Sequence, residues 1–267
     1  NDLMESARLY KFKSVNLDLI YGLPHQTVSS VLKTVEIVIG LSPDRISLFN
    51  YAHLPARFKA QGLLDEAALP PPEEKLRILC AAAGKLMQAG YVHIGMDHFA
   101  KPDDELAVAY AEGELHRNFQ GYTTNKSADL IGLGVSSISQ VGDVYCQNSR
   151  SVTEYQDAID EGHLPVVAGF KLSQEDIIRR DVIMSLICQN NLEPGVIGAK
   201  YNIDFDSYFA LEIQQLKQYV AEELLTFDGQ TYQVTPRGRL VVRKICMAFD
   251  AYLPEHLKSG KRFSRVL

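Results

Sequence analysis

Two short apolar runs, SVNLDLIYGLP at residues 14–24 and RISLFNY at 45–51, do most to constrain what this chain can fold into. Each is rich in β-branched, aromatic and leucine side chains and is followed by turn residues, so each reads as a strand. Between them Val31, Leu32, Val35, Val38 and Ile39 recur at helical spacing, from about Val28 until Ser42 and Pro43 interrupt the pattern. Pro70, Pro71 and Pro72 then introduce a second helix, EEKLRILCAAAGKLMQAG, acidic in its first turn and closed by Gly90. A third strand, YVHIGMDHF, follows at residues 91–99. This βαβαβ order predicts three adjacent parallel strands with right-handed crossovers. In such sheets ligands bind where the strands finish. Polar residues gather there: Asn50 and His53 after the second strand, Asp97 and His98 after the third, and Asp18 inside the first. A carboxylate in an apolar strand is costly unless it is paired or meets a ligand, which makes Asp18 a candidate site residue.

The stretch from Gly95 to Thr124 is the most densely functional part of the chain. It carries Asp97, His98, Asp103, Asp104 and Glu105, then His116, Arg117, Asn118 and Gln120, interleaved with Phe99, Phe119 and Tyr122. Ionisable groups crowded beyond a strand suit a ligand site, against the plainer alternative of a solvated loop and helix face. His93, Asp97 and His98 match neither H-E-x-x-H nor a facial triad. On one strand His93 would share a face with Gly95 and Asp97 while His98 points away, so no metal site is expected. Gly132-Leu133-Gly134 lacks dinucleotide or P-loop spacing, and Ser136 is not in a nucleophile elbow.

From Ser151 the texture is helical. Ser151 with Glu154 predicts a capping box, Gly162 a helix end, and Ser173 the N-cap of LSQEDIIRRDVIMSLIC. A further helix is expected over about Asp206 to Leu225, then a hairpin turning at Asp228-Gly229, then a helix from Thr235-Pro236 through Tyr252. These elements predict a small, mainly helical, winged-helix-like domain over residues 171–267, after a sheet-and-helix part over residues 1–170. Phosphate contacts need clustered Lys or Arg, whereas Glu222 and Glu223 precede the hairpin and the chain carries a net charge of -6, so no nucleic-acid partner is expected. No apolar run approaches the roughly 20 residues of a bilayer span, so no membrane partner is expected either. Cys80, Cys146, Cys188 and Cys246 are far apart, and Cys80, Cys188 and Cys246 have apolar surroundings; buried free thiols in a reducing cytoplasm are the expectation.

The segments DLIYGLPHQT, SLFNYAHLP, GMDHFAKPDDELAVA, LHRNFQGYTT and GLGVSSIS, in this order and spacing, resemble the oxygen-independent coproporphyrinogen III oxidases, a radical S-adenosylmethionine (SAM) family. The resemblance runs through most of the chain. It implies an α/β fold, the C-terminal part of a partial parallel (β/α) barrel followed by the winged-helix-like domain. It further implies two SAM molecules beside a [4Fe–4S] cluster, coproporphyrinogen III as substrate, an electron donor, and a cytoplasmic place in haem biosynthesis. In the family, SAM cleavage yields a radical that takes a propionate β-hydrogen; CO2 leaves, and two propionates become the vinyls of protoporphyrinogen IX. Carried over by motif, Asp18, Phe49, Ala52, Gln120 and Ile138 are implied SAM contacts, and no catalytic residue is assigned. The family's C-x-x-x-C-x-x-C run does not occur in this sequence. The chain is therefore expected to be a C-terminal portion without the cluster-binding part, inactive alone. The haem-binding chaperone branch of the same superfamily is the alternative, and its wording differs at LHRNFQGYTT and GMDHFAKPDDELAVA.

Overall fold

The computed structural model describes residues 2–126 and 128–253. A short helix, α1 (Asp2–Leu9), leads into β1 (Asn16–Tyr21), α2 (Val28–Leu41) and β2 (Arg45–Asn50). Thr27 and Ser30 form a reciprocal capping box at the start of α2, and Ser42 ends it in a left-handed conformation. The two strands pair in parallel, from Asn16 opposite Arg45 to Tyr21 opposite Asn50. Next comes α3 (Pro72–Gln88), whose Ile78, Leu79, Ala82, Ala83 and Leu86 form one buried stripe. Cys80 lies off that stripe and is exposed, which corrects the buried thiol expected there.

The third parallel strand is also corrected. Residues 91–99 do not run straight. β3 (Val92–Gly95) turns at Met96 and Asp97 into β4 (His98–Ala100), with Met96 left-handed at φ 46°. β4 pairs antiparallel with both neighbours, giving the order β1-β2-β4-β3. Only β1 and β2 are adjacent and parallel. The reversal rests on the residue pair Met96-Asp97, which carries none of the Asn-Gly or Asp-Gly chemistry that marks a tight turn in sequence.

The two faces of this sheet are covered by different things. On one, Leu17, Leu19, Tyr21, Ile46, Leu48 and Phe99 pack with the stripes of α2 and α3. On the other, Ile94 and Ala100 join a core containing Leu106 of α4 (Glu105–Ala111) and a long series of C-terminal residues. Each aliphatic side chain fully buried in either core contributes about 1.5–3 kcal/mol.

Beyond α4 lie a hairpin, β5 (His116–Asn118) with β6 (Gly121–Thr123), and an antiparallel sheet of β7 (Ile138–Val141), β8 (Val144–Asn148) and β9 (Val166–Lys171). The helix α5 (Val152–Asp160) connects β8 to β9. Ser151 caps it through the Glu154 amide, but the Glu154 carboxylate accepts from the Ser149 hydroxyl at 2.6 Å, so the expected reciprocal box is only half made.

The C-terminal elements are α6 (Gln174–Met184), β10 (Asn191–Leu192), α7 (Pro194–Tyr201), α8 (Phe205–Tyr208), α9 (Ala210–Ala221), β11 (Leu225–Phe227), β12 (Tyr232–Val234), α10 (Pro236–Arg239) and α11 (Val242–Cys246). Ser173 and Asp176 cap α6 reciprocally, and α6 runs on into a π-turn over Ser185–Gln189. The hairpin at Asp228-Gly229 is present, its turn closed by the Asp228 carboxylate accepting from the Gln230 and Thr231 amides. The helix expected over about Asp206 to Leu225 breaks at Phe209, and the one expected from Thr235 is two short pieces. Ile178, Leu186, Leu216, Ile245 and Phe249 from these elements share one core with Ile94, Ala100 and Leu106.

Candidate functional site

Strand alternation places Asn16, Asp18 and Ile20 of β1 on the sheet face away from α2 and α3. Register extends that row across the sheet: Asp18 is opposite Ser47, and Ser47 is opposite His98. With strands about 4.8 Å apart, Asp18 and His98 are roughly 10 Å apart along the row. Asp18 and Ile20 are exposed, Phe49 and His98 half-buried. Asn16 donates to the Asp18 carboxylate at 2.7 Å, and the Ser47 hydroxyl donates to the Asn16 side-chain carbonyl at 3.2 Å. Asp18 is opposite Ser47, three residues before Asn50 in β2, so it sits mid-strand, and the Asp97 carbonyl accepts from the Leu48 amide at 2.7 Å, one residue further along.

Aromatic contacts organise the His98 end. His98 meets Phe49 edge-on at 5.9 Å and Tyr122 at 5.4 Å. Arg117 lies directly across the β5–β6 hairpin from Tyr122, and its guanidinium carbon stands 4.8 Å from that ring's centre. The Tyr122 hydroxyl donates to the Ile187 carbonyl at 3.0 Å, within the π-turn. Three polar atoms here are buried with no hydrogen-bond partner among the described residues: His98 Nδ1, Arg117 Nη1 and Asn50 Oδ1.

Burial, and then the Arg117 charge, push the His98 imidazole down to about 4; Arg243 and Arg45 act in the same direction and Asp18 opposes them. His98 is therefore neutral at neutral pH. Asp97, beside it, is raised by burial, against the opposing pull of Arg243 and Arg117. Arg243 on α11 reaches the Asp97 carboxylate at 3.3 Å and the Met96 sulfur at 3.0 Å, so a C-terminal helix grips the β3–β4 turn. Arg239 donates to the His93 carbonyl. His93 itself faces the other core, stacked on Phe99 at 4.7 Å and donating through Nε2 to the Met96 carbonyl at 2.8 Å. Its imidazole is pushed down to about 4 by burial first and then by Arg239. The two histidines face opposite ways: His93 is opposite Phe99 across the turn, and His98, the neighbour of Phe99, points to the other face.

Of the residues singled out in sequence, Asp18 lies in the row and Phe49 in the aromatic cluster. Ala52 is exposed in the loop after β2, where Gln61 holds its carbonyl at 3.1 Å and the Leu54 amide at 2.6 Å. Gln120 is exposed at the β5–β6 tip, its amide donating to the Asn118 side chain at 2.9 Å. Ile138 is half-buried at the start of β7. Among the described residues no hydrogen bond or ring contact joins Ala52, Gln120 or Ile138 to Asp18 or Phe49; the tip does approach the other sheet through Phe119 on Tyr145, at 5.0 Å. Asp104 and Glu105 leave the candidate cluster. Both bind Arg45, at 2.9 and 2.7 Å, and Asp104 caps α4. Sequence reasoning missed Arg243 and the Tyr122–Ile187 bond, since neither partner is near the other in the chain.

A [4Fe–4S] cluster needs thiolates converging on one small volume. Cys80 is exposed on α3, on one side of the sheet, whereas Cys188 and Cys246 are buried in the core on the other side. Burial pushes both of those thiols up to about 12. These cysteines do not fit such a cluster.

Known proteins match nearly the whole length of this chain. Residues 172–241 match the HemN C-terminal domain family. An oxygen-independent coproporphyrinogen III oxidase of Pseudomonas aeruginosa is 49% identical over 99% of this chain, which spans 57% of that relative's length. One from Thermostichus vulcanus is 47% identical, again over 99% of the chain, and here the chain spans 81% of the relative. Among solved structures, the coproporphyrinogen III oxidase (HemN) of Escherichia coli, described as a radical SAM enzyme, superposes with a TM-score of 0.90 at 49% identity, covering 94% of this chain and 58% of that one. Near-half identity across a shared α/β fold makes this chain a member of the oxygen-independent coproporphyrinogen III oxidase family.

Proposed function

We propose that this chain forms part of the SAM- and porphyrinogen-binding wall of an oxygen-independent coproporphyrinogen III oxidase of haem biosynthesis. The observation that carries the reading is the row Asp18–Ser47–His98 with Phe49, an open face that ends in buried polar atoms lacking partners. A carboxylate such as Asp18 suits a ribose diol or a cationic ligand, and Phe49 offers an apolar surface to an adenine. Ala52, Gln120 and Ile138 belong to this reading as further SAM contacts. Asp18, Phe49, Ala52, Gln120 and Ile138 would hold SAM, which when bound would supply the hydrogen-abstracting chemistry directed at a propionate. This chain's residues bind and orient, and Phe49, Tyr122 and the flanking core exclude water.

In this reading β1, α2, β2 and α3 belong to a partial parallel (β/α) barrel that occupies residues 1–170. Residues 171–267, with the β11–β12 wing, make a winged-helix-like cover. The protein works in the cytoplasm with an electron donor; no helix among the described residues is long and apolar enough to cross a membrane. Because the cysteines present do not fit a cluster, the chain alone is inactive.

Equilibrium dialysis against SAM and against coproporphyrin III, the stable oxidised form of the substrate, tests the reading. Saturable binding of both, with SAM displaced by S-adenosylhomocysteine, is expected. Binding of neither overturns it.

A further inference from the structure

The Arg117 guanidinium makes no ion pair among the described residues, although the residue is half-buried. Its Nη1 is buried and makes no hydrogen bond, and its one defined contact is the face of Tyr122. The nearby acids do not fill that role. Asp97 feels the Arg117 charge but makes its ion pair with Arg243, and Asp104 and Glu105 are held by Arg45. Asp18, at the far end of the row, accepts from Asn16. Leaving a buried cationic donor unmatched costs far more than leaving a surface one, so a group of this kind is ordinarily matched by an anion.

His98 packs on the same Tyr122 ring and has the same defect at Nδ1. Being neutral, the imidazole can donate Nδ1–H without adding a second charge beside Arg117. A guanidinium fork and one N–H donor suit a planar oxyanion with two acceptor atoms. Resting on the functional reading above, we propose that Arg117 and His98 form a carboxylate-binding subsite beside Tyr122, which anchors one end of a ligand whose other end lies toward Asp18. Asp18 and Arg117 thus give the face an acidic end and a basic end. Two ligands of the proposed reaction carry a carboxylate: the porphyrinogen through its propionates, and SAM through its amino-acid moiety.

The experiment compares each carboxylate with its carboxylate-free counterpart. The chain is titrated with coproporphyrin III and its tetramethyl ester, and with SAM and decarboxylated SAM, in the wild type and in Arg117→Gln and Arg117→Lys. In parallel, the His98 ring nitrogens are followed by long-range ¹H–¹⁵N NMR. One pair is expected to show a preference of about 10–100-fold for the carboxylate form, the size of a charge-assisted hydrogen bond. The pair that shows it names the source. Arg117→Gln should abolish the preference and Arg117→Lys should keep part of it. Binding of the carboxylate form should shift His98 Nδ1, and the ester or decarboxylated form should leave it unmoved.

The wild-type comparison stands even where Arg117→Gln fails to fold. Equal affinity for both members of each pair, or a preference that survives intact in Arg117→Gln, overturns the subsite and leaves the functional reading standing. Failure of both SAM and coproporphyrin III to bind at all overturns both.

Discussion

Asp18 and His98 stand in one register row, on β1 and β4, each directly opposite Ser47 of the intervening β2. Across that row the Asp18 carboxylate opposes the burial and the Arg117 charge that keep the His98 imidazole neutral. A ligand lying along the row meets a carboxylate at one end and the Tyr122–Arg117 pair beyond the other.

Asp18→Asn should weaken SAM binding by about one to two decades, the loss of one charge-assisted hydrogen bond. Asp18 is exposed, so thermal stability should hardly change. Isothermal titration of SAM alongside a thermal melt separates the two effects; unaltered SAM affinity would remove Asp18 from the site.

Gly95→Ala should disturb the site from behind. A β-carbon there would overlap the Tyr122 hydroxyl and come within 2.9 Å of its ring carbon Cζ. The ring would be driven off the Ile187 carbonyl, and overpacking of this kind costs about 1–3 kcal/mol. Denaturant unfolding measures the loss, and Gly95→Ala in a Tyr122→Phe background, which lacks the hydroxyl, should lose less.

Stability should fall as the pH drops from about 6.5 toward 4. In the folded chain His93 and His98 titrate at about 4, against 6.5 for an ordinary imidazole, and His116 is also lowered by burial. Through that window the unfolded chain binds protons that the folded chain refuses, so acid favours unfolding, by on the order of a few kcal/mol. Asp97, being raised, works in the opposite direction. Urea midpoints at a series of pH values test this, and His93→Gln should flatten the slope.

Anaerobic reconstitution of the chain with iron and sulfide should give no reduced-cluster EPR signal and no 5′-deoxyadenosine from SAM. Cys80 is the accessible thiol on α3, and it is separated by the sheet from Cys188 and Cys246. A stoichiometric cluster with SAM cleavage would refute this.

The chain should self-associate as its concentration rises. Among the described residues β1 pairs on one side only, with β2, and Ile20 on its open face is 50% exposed. Unpaired strand edges template pairing with other chains. Light scattering should show the growth of larger species, and Ile20→Lys should suppress it; a monomer at every concentration refutes the expectation.

How much of this was legible in sequence follows from the range of each interaction. The parallel β1–β2 unit and the Ser173 cap of α6 were legible, because strand alternation and capping are written within a few residues. The β3–β4 reversal was not, since YVHIGMDHF keeps its two-residue alternation whether straight or folded back. The outward position of Cys80 was hidden by alanines around it that belong to a different stripe of α3. Phe49, His98 and Tyr122 could be suspected from their place in the polar stretch and strand exits, but the Ile187 carbonyl that anchors Tyr122 and the Arg243 that grips Asp97 lie 65 and 146 residues from their partners.

The π-turn over Ser185–Gln189 has a consequence for how this chain tolerates the loss of a residue. Such a turn amounts to one additional residue threaded into an α-helical spiral. Deleting any single residue of SLICQ would restore ordinary winding and remove the bulge that presents the Ile187 carbonyl to the Tyr122 hydroxyl. The geometry around His98 is thus tuned by the length of a distant helix as much as by the residues that touch it.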